Sequence, residues 1–503
     1  MTADSPSLST PSRPLSRRGL ISGAGAFAAV WGAARTVLAQ PPVEASADVD
    51  PGSLLTKLVR RVTYGPTASE LALAAQLGYH GYLDYQLNYT AIDDSACEAR
   101  LSSLATLTMT QQEQYTQTGG ATLLSNELTE ATILRAIFSQ RQLYQRMVEF
   151  WTDHFNIAIN SEPANMLKSM DDRNVIRVHA LGNFGDLLRA SAHSPAMLTY
   201  LDNYLSTATN VNENYGREIL ELHTMGADNG YTQADVLDVS RCFSGWGYDS
   251  VATSPTRGAF RYSSTRHYNG AKTIFAGTPY QLNIAAGGGQ TDGDRVLNAL
   301  IAHPSTARYI SLKMARWLLR EDPSPSLVDR VAAVYTSTGG DIKSMIREIL
   351  KPNNLASAPP KYKRPFHLMV SALRALPSNV TATSGLRGQL TSCGHRPFYW
   401  ETPDGYPDTA MYWQGLILPR WNFGASLLNA NISGCTVDYP AFFSGLTTAG
   451  PMLNKIEAEL FAGEMPASEK ARLNTYLGAG TISSTKTKEV LGVAIAAPSF
   501  QWY

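Results

Sequence analysis

The richest stretch of chemically capable side chains runs from residue 212 to 226, Asn-Glu-Asn-Tyr-Gly-Arg-Glu-Ile-Leu-Glu-Leu-His-Thr-Met-Gly. Glu218 and Glu221 stand three residues apart, a spacing that lets two carboxylates share a helix face. Either could act as a general acid or base. Arg217 and Asn214 lie on the stripe of Glu221, where they would hold an anionic substrate. His223 falls elsewhere: at about 100° per residue it lies about 160° from Glu221, so the two cannot chelate one metal from a regular helix. It remains an acid/base or ligand candidate by itself. The same segment admits a structural reading, because Glu213, Arg217 and Glu221 are spaced i, i+4, i+8. That is an intrahelical salt-bridge ladder worth about 0.3–0.5 kcal/mol per pair.

Three other places carry candidates. His154, in Glu149-Phe150-Trp151-Thr152-Asp153-His154-Phe155-Asn156, falls among Met147, Phe150, Trp151 and Ile157 on an apolar face. It is an acid/base candidate or a hydrogen-bonded core histidine. Arg173 and Arg177 lie near the stripe of Ile176, Ala180, Phe184 and Leu187, with His179 beside them. Buried guanidinium groups need carboxylate partners, and Glu213, Glu218 and Glu221 are the nearest rich supply. The expectation is an internal ionic network between these helices, serving as a binding site or as a lock on their register. His267 and Lys272 flank an Asn269-Gly270 turn and would project from a hairpin, as site residues or as solvated loop residues. Nucleotide-loop, zinc-protease, nucleophile-elbow and dinucleotide signatures are absent. Asp292-Gly293-Asp294 is a fragment of a calcium-loop pattern and reads as a helix start. No ligand spacing specifies a metal or a cofactor.

The elements that must position these residues are helices. Periodicity and breaks predict helices over 54–62, 69–77 and 79–86, a loop or frayed helix over 104–120, and long helical segments over 124–159 (broken near Gln140), 172–192, 212–225 and 233–245. Thr232-Gln233-Ala234-Asp235 is a capping-box-like start. The alternation in Ala259-Phe260-Arg261-Tyr262 and the turn signal Tyr268-Asn269-Gly270-Ala271 predict a small β-hairpin insert that ends at Gly287-Gly288-Gly289. Helices resume over 295–301, 306–319, 327–336, 342–350 and 367–376. A Gly-, Pro- and Trp-rich loop spans 393–413 and helices close the chain. The class is mainly α: a large multi-helix domain with a small β-hairpin insert. Its parts are 52–245, the insert 246–292, and 293–503 as the C-terminal portion of the same domain.

Composition bounds the compartment more than the chemistry. The 503 residues are 44% hydrophobic, which excludes disorder, and 42 basic against 42 acidic side chains give no argument for nucleic acid. The charged fraction, 17%, lies below the roughly 25% of ordinary soluble domains, a profile shared by exported proteins. Ser16-Arg17-Arg18-Gly19-Leu20-Ile21, an apolar run over 20–34 broken by three glycines, and Val37-Leu38-Ala39 predict a twin-arginine signal peptide over 1–39, with an ordinary secretory signal as the alternative. A linker follows over 40–51. The run is too short and glycine-rich for a membrane span, which needs about 20 apolar residues. Removing the leader takes four arginines and one aspartate, so the mature chain is slightly acidic, periplasmic or secreted, with no span left. Of the four cysteines, Cys393 and Cys435 could pair in an oxidising compartment, but spacing does not decide it.

An ordered set of segments resembles a bacterial family catalogued as domain-of-unknown-function family 1800: 61–67 (Arg-Val-Thr-Tyr-Gly-Pro-Thr), 150–156, 177–182, Ser194-Pro195-Ala196-Met197, Tyr200-Leu201-Asp202-Asn203, 212–226, 230–233, Ser244-Gly245-Trp246 and His303-Pro304. The resemblance covers roughly 54–428. It implies a mainly helical exported protein, often with a twin-arginine signal, and frequent gene neighbourhood with a second exported family, domain-of-unknown-function family 1501, which is sulfatase-like. It implies no established activity. Where that family often has H-D-x-G-x-K, this chain has His267-Tyr268-Asn269-Gly270-Ala271-Lys272. Two functions stay open. One is an exported hydrolase or transferase acting on an envelope or extracellular polymer, through Glu218, Glu221, His154 and His223 with Arg173, Arg177 and Arg217. The other is a binding or assembly protein that accompanies the co-exported sulfatase-like partner.

Overall fold

The computed structural model describes residues 51–503 apart from Ser161 and Asp228, so the expected leader and nearly all of the linker lie outside the described residues. Polar residues fix the helix starts. Thr67 caps the Ala68–Leu87 helix: its hydroxyl accepts from the Glu70 amide at 3.2 Å, and the Glu70 carboxylate accepts from the Thr67 amide at 2.9 Å. The two helices expected over 69–77 and 79–86 form the two halves of this span and part at Gly78, whose φ of 70° and ψ of 176° are non-helical and whose positive φ only glycine adopts without strain. The segment 104–120 carries a short helix, Gln111–Thr116, with its own capping box from Thr110 and Glu113. The break near Gln140 separates Gly120–Phe138 from Gln142–His154.

Among the described residues the fold is mainly α with three two-stranded antiparallel sheets. The expected single hairpin is two. β1 (Trp246–Tyr248) pairs with β2 (Phe260–Tyr262), and β3 (Lys272–Ile274) pairs with β4 (Leu282–Ile284). Asn269-Gly270 lies between the two hairpins and turns neither. The third sheet, β5 (Ser378–Val380) with β6 (Cys435–Val437), joins three-residue strands far apart in sequence, too short for a period to register. Cys393 and Cys435 are buried free thiols. No described helix is long and apolar enough to cross a membrane.

Apolar side chains gather in two clusters. One runs from Leu58 to Ala358 around Trp151, Phe184, Ile310 and Ile346. The other, built mostly beyond Phe366, surrounds Phe423, Ile456 and Leu491, where the Ile417–Leu428 helix packs on Ser484–Ala496. Polar contacts stitch them at the Pro365–Ala375 helix. Arg374 reaches Glu70 at 2.6 Å and the Gly65 and Ile137 carbonyls, and Arg146 bridges His367 (3.0 Å) and the Tyr503 hydroxyl (2.9 Å).

His267 and Lys272 are corrected from projecting residues to sealed ones. Both side chains are fully buried on Asp292, with Lys272 bonded to Oδ2 and His267 Nε2 at 3.2 Å from the same oxygen. The Ser244 carbonyl accepts from His267 Nδ1 at 2.8 Å. Gly288 is required there, because a Cβ on it would lie 1.9 Å from Asp292 Oδ1. This cluster pins the insert to the Thr291–Ala302 helix. Asp292→Ala leaves an uncompensated buried ammonium and is expected to lower the unfolding free energy by about 3–5 kcal/mol, whereas Asp292→Leu with Lys272→Met recovers most of it. Urea titration of the two variants decides this, and a loss below about 1 kcal/mol in the single variant would contradict a sealed pair.

Candidate functional site

The 212–226 segment resolves into two faces. On the outer one, Arg217 lies 3.4 Å from both Glu213 and Glu221 and 2.8 Å from Gln233 Oε1, a half-exposed ladder. Asn214 is exposed and reaches the Leu201 carbonyl at 3.3 Å. Glu218 is half-buried, and its carboxyl is raised by that burial and then by Glu221 beside it, with Asp404 adding and Arg217 opposing. The inner face carries His223, buried against Phe155 and His154, with ring centroids 5.0 and 6.2 Å away. Glu221 and His223 thus point apart, as the helical geometry requires, although Ile219–Thr224 is wound as a π-helix.

The expected network between Arg173, Arg177 and the glutamates does not form. Arg177 pairs with Asp172 at 2.7 Å and with Gln145 Oε1 at 3.1 Å. The reason is local: Asp172–Ile176 is a second π-helical turn, closed by the Arg177 amide on the Asp172 carbonyl, and its wider winding puts residues five apart on one face. Arg173 instead donates to the Leu107 carbonyl (2.8 Å) and contacts Met170 sulfur. His179 is half-buried, and burial lowers its ring pKa.

A cavity of about 490 Å³ forms where helical spacing aligns side chains from two helices. Phe150, Asp153 and His154 face it from Gln142–His154, and Lys313, Arg316 and Trp317 face it from Pro304–Leu318. Arg364, at the cap of Pro365–Ala375, and the segment 404–409 complete it. The segment is held by its main chain. Asn156 Nδ2 donates to the Trp400 and Thr402 carbonyls at 2.9 and 2.7 Å, and the Tyr200 hydroxyl to that of Glu401 at 2.6 Å. Gly405, at φ 75°, lets it close, since a Cβ there would lie 2.1 Å from the Asp153 carbonyl oxygen. The outer rim, Glu321, Asp322 and Asp404, is exposed.

The electrostatics centre on Asp153 and Lys313. Burial pushes the Asp153 carboxyl up to about 6 against the pull of Arg364, with Glu149 adding to the rise. Burial likewise brings the Lys313 ammonium down to about 8, with Asp153 and Asp404 opposing. Among the described residues no carboxylate lies within ion-pair distance of Lys313; it stands over the Tyr309 ring, 5.6 Å from its centroid. Arg364 bonds Asp153, lies 3.6 Å from Glu149 and 3.8 Å from Asp408, and donates to the Tyr406 carbonyl at 3.0 Å. Burial alone would lower its pKa, but these carboxylates raise it. Asp408 is held below the ordinary carboxylate range despite burial, by Lys361 and Arg364. His154 closes the inner wall, its Nε2 donating to the His223 carbonyl at 3.1 Å. A separate, smaller void of about 40 Å³, which shares Asp153 and Tyr406 with the cavity, is lined by Glu149, Asp172 and Arg177.

Sequence reasoning settled on His154 and passed over its neighbour Asp153. Their adjacency in 150–156 was the available signal; nothing in sequence marked Lys313, Arg364 or Asp408, which lie 95 or more residues from Asn214–Glu218. Among the described residues no group of three or more His, Cys, Asp or Glu is arranged to hold a metal ion.

Fold and cavity together define a mainly helical protein with an open cavity lined by both acidic and basic groups. The chain belongs to the family described as protein of unknown function (DUF1800), which it matches over residues 57–502. No curated protein and no solved structure matches it.

Four buried rings must stay neutral in the fold. Burial holds His154, His367 and His395 well below the usual histidine value and His223 down to about 3. In the unfolded chain these rings take up protons below about pH 6.5. Stability is therefore complete above that pH and falls as pH drops toward 3, by about 1.4 kcal/mol per ring per pH unit. Asp153, between about pH 4 and 6, and Glu218, both with raised pKa, act in the opposite sense, two carboxyls against four rings. Urea midpoints at pH 7 and 5 test this, and equal midpoints would mean that the rings charge inside the fold.

Proposed function

We propose that the protein is an exported enzyme, a hydrolase or transferase acting on an envelope or extracellular polymer, with the cavity as its active site and Asp153 and Lys313 as its acid/base pair. The observation that carries this reading is the placement of a carboxyl raised to about 6 and an amine lowered to about 8 on adjoining walls of one open cavity. Catalytic proton transfer is most effective when the groups titrate near the working pH, and shifted groups of this kind cluster at functional sites. About 490 Å³ lies within the range of small-molecule sites and accommodates a terminal or side unit of a polymer.

Each neighbour has a role in this reading. Arg364 orients the Asp153 carboxylate, Phe150 and Trp317 limit water, and Arg316 with the carboxylates of Glu321, Asp322 and Asp404 meets the polymer at the mouth. Glu218, which feels Asp404 electrostatically but does not line the cavity, and Glu221, engaged with Arg217, are left outside the chemistry. The leader read at 1–39 supports export.

The test is turnover of peptidoglycan, envelope polysaccharides and polymer esters by the mature protein. Asp153→Asn and Lys313→Gln are each expected to lose about 10²–10⁴-fold in kcat/KM with circular dichroism unchanged, and Glu221→Gln to keep its activity. The wild-type pH profile should be bell-shaped with limbs near 6 and 8, and a conservative Asp153→Glu variant should shift the acid limb. Turnover unaffected by either Asp153→Asn or Lys313→Gln would refute the assignment.

A further inference from the structure

The lysines shielded from solvent differ in what they meet. Lys168 pairs with Asp171 at 2.6 Å, Lys272 with Asp292, and Lys361 with Asp408 at 3.1 Å. Lys57 donates to the Ala356 and Ala358 carbonyls. Lys363 lies over the Phe500 ring at 3.8 Å and borders a void of only about 20 Å³. Lys313 alone of these, among the described residues, has no carboxylate in ion-pair distance and opens on a cavity that a substrate can enter. A carboxyl able to give and take a proton, Asp153, lines the same cavity, as does Trp317, whose buried indole N–H has no partner. A desolvated lysine that shares a cavity with a proton donor is an arrangement that activates an amine as a nucleophile.

We propose that Lys313 forms an imine with an aldehyde or ketone carbonyl bound in the cavity. This rests on the cavity being the active site and adds a covalent step that acid/base catalysis does not require. The neutral amine attacks the carbonyl carbon, a C–N bond forms, and the displaced π pair becomes a hydroxyl by taking up the proton that nitrogen loses. Asp153 then protonates this hydroxyl, the C–O bond breaks with release of water, and the nitrogen lone pair forms C=N. Nitrogen's remaining proton returns to Asp153, so amine and carbonyl give imine and one water with no oxidant or reductant. In a polymer substrate the carbonyl is the open-chain aldehyde of a terminal sugar. The lowered pKa of Lys313 supplies neutral amine near pH 8.

The experiment is reductive trapping of the full mature protein with glycolaldehyde and cyanoborohydride at about pH 7, midway between the Asp153 and Lys313 values, followed by peptide mass mapping over time. Lys313 is expected to be modified about ten-fold faster than the exposed Lys351 and the half-exposed Lys343 and Lys488, and Asp153→Asn to remove most of that advantage while labelling of those lysines is unchanged. Lys313 labelled no faster than the surface lysines in the wild-type protein overturns the proposal, without any variant that must fold. Trapping reads the amine whether or not a polymer is turned over. Slow trapping with activity that depends on Lys313 therefore sinks the imine and leaves the acid/base reading. Fast trapping with no polymer turned over does the reverse.

Discussion

Arg364 must remain charged where water scarcely reaches it, and much of the surrounding structure follows from that requirement. A buried guanidinium without partners is among the costliest groups a fold can hold. Here Asp153 and Glu149 come from one helix, Asp408 and the Tyr406 carbonyl from the loop opposite, and the Trp317 ring, 4.7 Å away, from a third element. The positive charge thus brings three segments of the chain to a common point. Asp153 is shared between two demands, neutralising Arg364 and lining the cavity. Burial outweighs its arginine partner and leaves it poised near neutrality rather than firmly ionised.

The ladder of Glu213, Arg217 and Glu221 was legible in sequence because i, i+4 spacing is a purely local property, and the structure places it where that spacing puts it. So were the capping boxes, the break near Gln140 and the mainly α class. The partner of Arg177 was not, because the inference assumed 3.6 residues per turn and the chain widens at Asp172–Ile176. Periodic reasoning fails first at such π turns, and both of those described here carry candidate residues. His267 and Lys272 were misplaced for a different reason: Asn269-Gly270 is a strong turn signal, but no local feature announced that Asp292, twenty residues beyond Lys272, would draw both inward.

The candidate site was the least legible part because its members share no element. Asp153, Lys313, Arg364 and Asp408 each sit in an unremarkable local context, and only the packing of three helices and a loop gives them a common environment. Burial shifts their protonation, and burial is a property of the assembled chain. The densest polar run in the sequence instead occupies an outer face, with Glu218 touching the cavity mouth only through its electrostatic response to Asp404.

The loop that closes the cavity is gripped by its backbone: Asn156, Tyr200 and Trp413 all bind main-chain carbonyls in 400–407. An anchor of that kind is indifferent to most of the side chains it carries. Gly405 is forbidden to change by the Asp153 carbonyl, Asp408 is engaged by Arg364 and Lys361, buried Tyr406 bonds the Arg396 carbonyl and Asp404 acts on Lys313; the backbone anchors place no such demand on the other side chains of the wall. If the cavity is the active site proposed above, most of its outer wall can vary in side chain while the backbone that holds it stays in place, so what the mouth meets can change by rewriting a few letters of a single surface segment.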